Sequence, residues 1–283
     1  MANPTSFEHK GRVIRTEMKT SATPEQVWEA WADPEKIAQW FVDRATGEAK
    51  PGGTMTWYFD KFGYAIPNQI VDAMSGKRIV FKWEPPEGNP RILEVRIERE
   101  GGATMVRLVN SGFREDAAWD EEYEGVSSGW KMAMAILKFY LENHFAQKKT
   151  AIFIFHPAKF AYDEVLKYIL EPAKLGQWLT TAGSIGKVGE RCELQLRDAR
   201  KLTGRVLAIT DREVTVSWDE IGGVLELKAF SMGPQRVVCL RAYSWRLNAG
   251  EMATIEEKLQ QALERLVALF PLGAAAGDAT LPA

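Results

Sequence analysis

The residues able to do chemistry are few and scattered. His9, His144 and His156 lie far apart, and none stands in a metal-binding spacing such as His-Glu-x-x-His. Cys192 and Cys239 are too few for a disulfide framework and read as small buried hydrophobes on strands. The sequence has no glycine-rich phosphate loop and no serine in a nucleophile elbow. Glu115, Asp116, Asp120, Glu121, Glu122 and Glu124 form an acidic cluster, but without the spacing of a calcium loop. They read instead as a solvated segment leading into a helix, whose N-terminus favours negative charge. The sequence therefore calls for no catalytic residue, no metal and no cofactor.

Aromatic surface is what the chain has in quantity, with 10 Trp, 13 Phe and 7 Tyr. Trp57 and Phe59 share one strand parity, as do Phe81 and Trp83, so each pair faces one side of a sheet. Trp130, Met134 and Leu137 recur at helical spacing and make one apolar face. Trp40 ends a short helical segment, placed to close one end of the same interior. Asn110 shares parity with Val106 and Leu108, which makes it an inward polar group that wants a hydrogen-bond partner. Trp40, Trp57, Phe59, Phe81, Trp83, Asn110, Trp130, Met134 and Leu137 are the candidate ligand-binding set. Large rings against a curved sheet are hard to pack without voids, so a cavity is expected among them.

These residues sit within a repeat. Shifted by 138 positions, Val27, Pro34, Lys36, Gln39 and Trp40 meet Val165, Pro172, Lys174, Gln177 and Trp178. Further on the shift is 135, and Val71, Ala73 and Trp83 meet Val206, Ala208 and Trp218. Each copy reads as strand, two short helices, a run of hairpin-spaced strands and a long amphipathic helix. Thr23-Pro24-Glu25-Gln26 and Asn248-Ala249-Gly250-Glu251 are helix-start signals. In the first copy the strands are expected near Gly11–Lys19, Met55–Phe59, Gln69–Ala73, Ile79–Glu84, Ile92–Glu98 and Thr104–Asn110. The long helix is expected over Val126–Phe145. An antiparallel sheet with one apolar face must cover it, and the last helix of each copy is the only long element able to do so. The fold class is therefore α+β, two tandem domains each with a curved antiparallel sheet wrapped around its C-terminal helix. The domains are expected at 1–147 and 150–270, with a disordered tail at 271–283.

The early motifs Thr-Pro-Glu-Gln-Val-Trp and Asp-Pro-Glu-Lys-Ile-Ala-Gln-Trp-Phe resemble the START-like superfamily of helix-grip folds. Ser111-Gly112-Phe113, Trp119 to Val126 and Gly129-Trp130, with the Pro51-Gly52-Gly53 turn, resemble more narrowly the family of activator of Hsp90 ATPase homologues. That resemblance covers about residues 10–145. The second copy keeps Pro172, Gln177, Trp178, Gly189 and Trp218 but lacks the late motif, so it is expected to be divergent and to act as a scaffold. Smaller groups there, Val214 and Val216 beside Trp218, are expected to close against Leu259 and Leu263.

Charge and hydropathy exclude several classes. Lys plus Arg is 36 against 38 Asp plus Glu, a formal net charge of -2, which argues against a basic nucleic-acid binder. No window has the length of apolar chain that a membrane span needs, and the N-terminus lacks a signal-peptide core, so a cytoplasmic location is expected. The leading expectation is non-catalytic binding of a small hydrophobic or amphipathic molecule in the first domain, in a setting such as a stress response. The resemblance supports an alternative, a protein-interaction module regulating an Hsp90-type chaperone. A polyketide cyclase-like enzyme is the second alternative.

Overall fold

A computed structural model describes residues 9–85, 89–232 and 235–270 of the 283. The tail expected at 271–283 lies outside the described residues. The chain divides into two compact units, Met1–Ala146 and Gln147–Ala283.

The first unit opens with β1 (Arg12–Thr20), followed by α1 (Pro24–Ala32) and α2 (Pro34–Ile37). Thr23 and Gln26 form a reciprocal capping box at the start of α1, with Pro24 at a position where a missing N–H costs nothing. Asp33 then ends α1 and starts α2, its carboxylate accepting from the Glu35 N–H at 2.8 Å. The chain continues through β2 (Arg44–Gly47), β3 (Thr54–Phe59), β4 (Tyr64–Met74), β5 (Arg78–Trp83), β6 (Arg91–Glu100) and β7 (Ala103–Phe113), and closes with α3 (Asp120–Asn143). All pairings are antiparallel, in the order β1-β7-β6-β5-β4-β3-β2.

The second unit repeats the plan with β8 (Thr150–Pro157), α4 (Tyr162–Leu170), α5 (Pro172–Trp178), β9 (Thr180–Ser184), β10 (Arg191–Leu196), β11 (Lys201–Ile209), β12 (Glu213–Trp218), β13 (Gly223–Met232), β14 (Gln235–Ser244) and α6 (Ala249–Val267). Its order, β8-β14-β13-β12-β11-β10-β9, is that of the first sheet. The α+β helix-grip fold is thus present in both halves, each with its long helix last.

Three local departures from the sequence reading have physical causes. The α3 helix begins at Asp120 rather than Val126, because Asp120, Glu121 and Glu122 fill its first turn, where carboxylates are favoured. The short edge strands β2 and β9 carry mostly exposed residues and hence no hydrophobic alternation to read. The β4 strand runs through Pro67, which pairs with Thr56, and so starts five residues before the expected Gln69. Within β7, Gly112 adopts φ +94°, and a Cβ there would stand 2.1 Å from the Pro90 carbonyl oxygen. No helix among the described residues is long and apolar enough to cross a membrane.

Candidate functional site

Alternation on the first sheet turns Met55 and Trp57 of β3, Asn68 and Ile70 of β4, Phe81 of β5, Leu93 of β6 and Asn110 of β7 toward α3. All are buried. From the helix side come Trp130, Met134 and Leu137, also buried. Trp130 and Asn110 meet directly: the indole N–H donates to Asn110 Oδ1 at 2.9 Å, while Asn110 Nδ2 donates to the Ile92 carbonyl at 3.0 Å. The inward asparagine therefore ties the helix to the sheet.

The predicted rings converge around two residues that the candidate set lacks. Phe41, half-buried in the turn after α2, lies 5.2 Å from Trp40, 5.3 Å from Trp57, 6.0 Å from Phe59 and 5.2 Å from Trp130, ring centre to ring centre. Trp31 of α1 lies 4.8 Å from Trp40, 6.3 Å from Phe81 and 6.2 Å from Trp130. Trp57 and Phe81 are 4.8 Å apart. Phe41 thus occupies the centre of the expected pocket. Trp83 stands apart from this cluster: it is half-buried and makes no ring contact with it among the described residues. Met134 and Leu137 lie farther along α3, one and two turns beyond Trp130.

Three polar atoms in this interior have no hydrogen-bond partner among the described residues: Trp31 Nε1, Trp57 Nε1 and Asn68 Oδ1. Their residues are 0 %, 2 % and 0 % exposed. The Asn68 amide is oriented by its Nδ2, which donates to the Met55 and Ile66 carbonyls at 3.1 and 2.9 Å. The oxygen is left over. Buried donors and acceptors are nearly always satisfied, so two indole donors and one amide acceptor in one aromatic interior call for a partner. The other buried indoles with resolved bonds are paired. Trp40 donates to the Ala30 carbonyl and Trp178 to the Tyr168 carbonyl, each at 2.9 Å and each ten residues back. Trp218 donates to the Lys201 carbonyl at 3.0 Å.

One end of the groove is charged. Arg91, buried on the helix-facing side, donates to the Gly112 carbonyl, forms a bidentate pair with Glu122 of α3 at 2.8 and 3.0 Å, and lies 4.2 Å over the Phe113 ring. On the opposite face of the sheet, Glu94 is fully buried against Arg96 at 2.8 Å and accepts from His9 at 3.1 Å. His9 also meets Ser111 Oγ at 2.9 Å. These two contacts tie His9 to β6 and β7. Ser111 is 1 % exposed, too enclosed for its hydroxyl to attack a substrate.

Among the described residues, no group of three or more His, Cys, Asp or Glu is placed to hold a metal. The two thiols are buried and unpaired, and burial pushes them up, Cys192 to about 11 and Cys239 to about 12. Both are poor nucleophiles as a result.

The interior of the second unit closes as expected, with Val214, Val216 and Trp218 buried in one cluster with Leu259 and Leu263. Its interior is a packed cluster around Trp178, Trp218, Leu259 and Leu263. Along α6, however, two adjoining clefts of about 670 and 300 Å³ share Arg200, Trp218 and Ile255 in their walls. They persist because polar and charged side chains of α6 and the β10–β11 turn rim this flank in place of apolar ones.

Residues 21–142 match the family model of the activator of Hsp90 ATPase homolog 1-like proteins. No curated protein matches the chain. Among solved structures, the chain is similar to DynU16, a putative protein in the dynemicin biosynthetic locus, at 16% identity and TM-score 0.42, covering 91% of this chain and 98% of that one. It is similar to the di-domain ARO/CYC BexL from the BE-7585A biosynthetic pathway at 12% identity and TM-score 0.44, covering 91% and 92%. The Aha1 dimer from Colwellia psychrerythraea shares 18% identity at TM-score 0.42, over 46% of this chain and 96% of that one. The first unit, with its matched motifs and its sheet closed by a long last helix, is thus similar over residues 21–142 to the activator of Hsp90 ATPase homolog 1-like proteins.

Proposed function

We propose that the groove of the first unit binds a small, largely apolar molecule that carries both hydrogen-bond acceptors and a donor. The observation supporting this is the set of unpartnered polar atoms: the Trp31 and Trp57 N–H groups and Asn68 Oδ1, buried within one aromatic interior. A planar molecule with a carbonyl and a hydroxyl would supply the missing partners and stack on the surrounding rings. Phe41 is the side chain that must yield. It is half-buried and sits in a turn rather than in a helix or strand. The groups around the unpartnered atoms are indoles, phenyl rings and amides, which bind and orient but do not exchange protons near neutral pH. Binding without turnover is therefore the reading we adopt, and the two unpaired thiols are in keeping with a reducing, cytoplasmic setting.

Native mass spectrometry of the full chain purified from its own cells tests the proposal. A retained small organic molecule, lost on Trp57→Ala, is expected. A bare polypeptide mass, both as isolated and after incubation with flavones, anthraquinones and fatty acids, would overturn it.

The family match over residues 21–142 favours a second reading, regulation of an Hsp90-type chaperone. It predicts a change in the ATPase rate of such a chaperone on addition of the full chain.

A further inference from the structure

The smaller cleft of the second unit has a charge pattern that its neighbour lacks. It is lined by Arg197, Arg200, Lys258 and Arg265 against a single carboxylate, Asp198. The larger cleft beside it balances Arg200 and Lys201 with Glu220 and Glu251. Those two carboxylates are also engaged: Glu220 accepts from the Thr203 N–H and hydroxyl at 2.9 and 2.8 Å, and Glu251 accepts from the Asn248 N–H at 2.8 Å. Beneath the four cations lies an apolar floor of Leu179, Leu196, Trp218, Ile255, Leu259 and Ala262, all buried. The volume, about 300 Å³, falls at the lower end of small-molecule pockets.

The three arginines are held by bonds to backbone carbonyls and a threonine hydroxyl, while Lys258 pairs with the outward Glu257 at 2.8 Å. Arg197 Nη2 donates to the Gly176 carbonyl at 2.5 Å and Arg265 Nε to the Trp178 carbonyl at 2.8 Å. Arg200 Nη2 reaches across to Thr254, donating to its carbonyl at 3.3 Å and its hydroxyl at 3.2 Å. Its other amino group, Nη1, is buried with no hydrogen-bond partner, although Asp198 Oδ2 lies 3.4 Å away. Arg265 is lowered from its ordinary value by burial and by the neighbouring charge of Arg197. Four cations fixed over an apolar floor, offset by Asp198 within the cleft and Glu257 outside it, leave an excess of positive charge that favours an anion.

We propose that this cleft binds a small amphiphile with one anionic head group, the head between Arg200, Lys258 and Arg265 and the hydrocarbon along Trp218, Ile255 and Leu259. The site lies within the second unit and does not depend on the first unit's groove. Carboxylate and phosphate heads share the required chemistry.

Calorimetric titration of the full chain with octanoate, octyl phosphate and octan-1-ol tests it. At least one of the two anions is expected to bind at least about tenfold more tightly than the alcohol. Arg200→Gln and Lys258→Glu should each weaken that binding about tenfold, and Trp57→Phe should leave it unchanged. Should Arg200→Gln fail to fold, Lys258→Glu, on the outer flank of α6, carries the test alone. Equal binding of alcohol and anion, no binding of either anion, or an affinity unchanged in Lys258→Glu would overturn the proposal. Loss on Trp57→Phe instead would place the amphiphile in the first unit's groove and overturn it equally.

Discussion

Trp40 and Trp178 illustrate how one residue can carry a repeat. Each indole closes the chain segment ten residues before it through a 2.9 Å bond to a carbonyl, and each is buried. Replacing either by Ala removes a large ring from a packed site and leaves that carbonyl without its donor. A loss of about 3–5 kcal/mol is expected for Trp40→Ala and for Trp178→Ala, measured by urea unfolding of the full chain. A loss under about 1 kcal/mol would mean that the ring is not packed as described. Glu213 makes a prediction of the opposite sign. Burial raises its carboxyl above the ordinary 4.5, the charge of Lys228 at 4.0 Å offsetting only part of this, and Oε2 has no hydrogen-bond partner. An acid raised in the folded state costs stability once the pH exceeds its unfolded value. Glu213→Gln should therefore raise the melting temperature at neutral pH and leave it nearly unchanged near pH 4, about where the unfolded carboxyl titrates. Glu226 behaves otherwise. Burial pushes it up, but the charge and hydrogen bonds of Arg241 outweigh this and hold it below its ordinary value. Its contribution is present above the unfolded value and is lost as the pH falls through the folded one.

At the scale of elements, local chemistry settled where helices start. The Asn248–Glu251 pair caps α6 reciprocally at 2.8 and 3.1 Å, as Thr23 and Gln26 cap α1. Asn248→Ala should cost about 1 kcal/mol, read as a shift of the unfolding midpoint. An unchanged midpoint would mean that α6 is held by its apolar face alone. The same signals made the element order, the repeat and most of the inward strand residues legible in the sequence. What stayed hidden depended on tertiary contact. Asn68 was missed because Pro67 argues against a strand, so that the expected strand began at Gln69, five residues after the true start and one past Asn68. Phe41 and Trp31 are an apolar pair near two short helices, and nothing in their spacing says that α1 and the turn after α2 lean into the groove. Arg91 gave no sign of facing inward, since its burial is made tolerable by tertiary partners, Glu122 of α3 and the Gly112 carbonyl. Of the acidic cluster expected to lead into the helix, only Glu115 and Asp116 precede it; Asp120, Glu121, Glu122 and Glu124 lie within α3.

Across the whole molecule, two units of one topology have diverged in what they present. The first gathers seven rings, Trp31, Trp40, Phe41, Trp57, Phe59, Phe81 and Trp130, around polar atoms without partners. The second pairs its Trp178 and Trp218 indoles internally and sets its cations along α6. Under the two proposals, each unit has its own ligand chemistry, apolar with hydrogen bonds in one and anionic in the other. The central claim is that Trp31 and Trp57 donate to a bound molecule. It is tested most directly by the indole N–H resonances of ¹⁵N-labelled full chain titrated with a hydroxyflavone and a hydroxyanthraquinone, assigned through Trp31→Phe and Trp57→Phe. The account predicts that the Trp31 and Trp57 signals move together and saturate with at least one of these probes, while those of Trp178 and Trp218, already bonded to carbonyls, stay in place. Signals of Trp31 and Trp57 that remain fixed with both probes, or that move no more than that of Trp218, would contradict it.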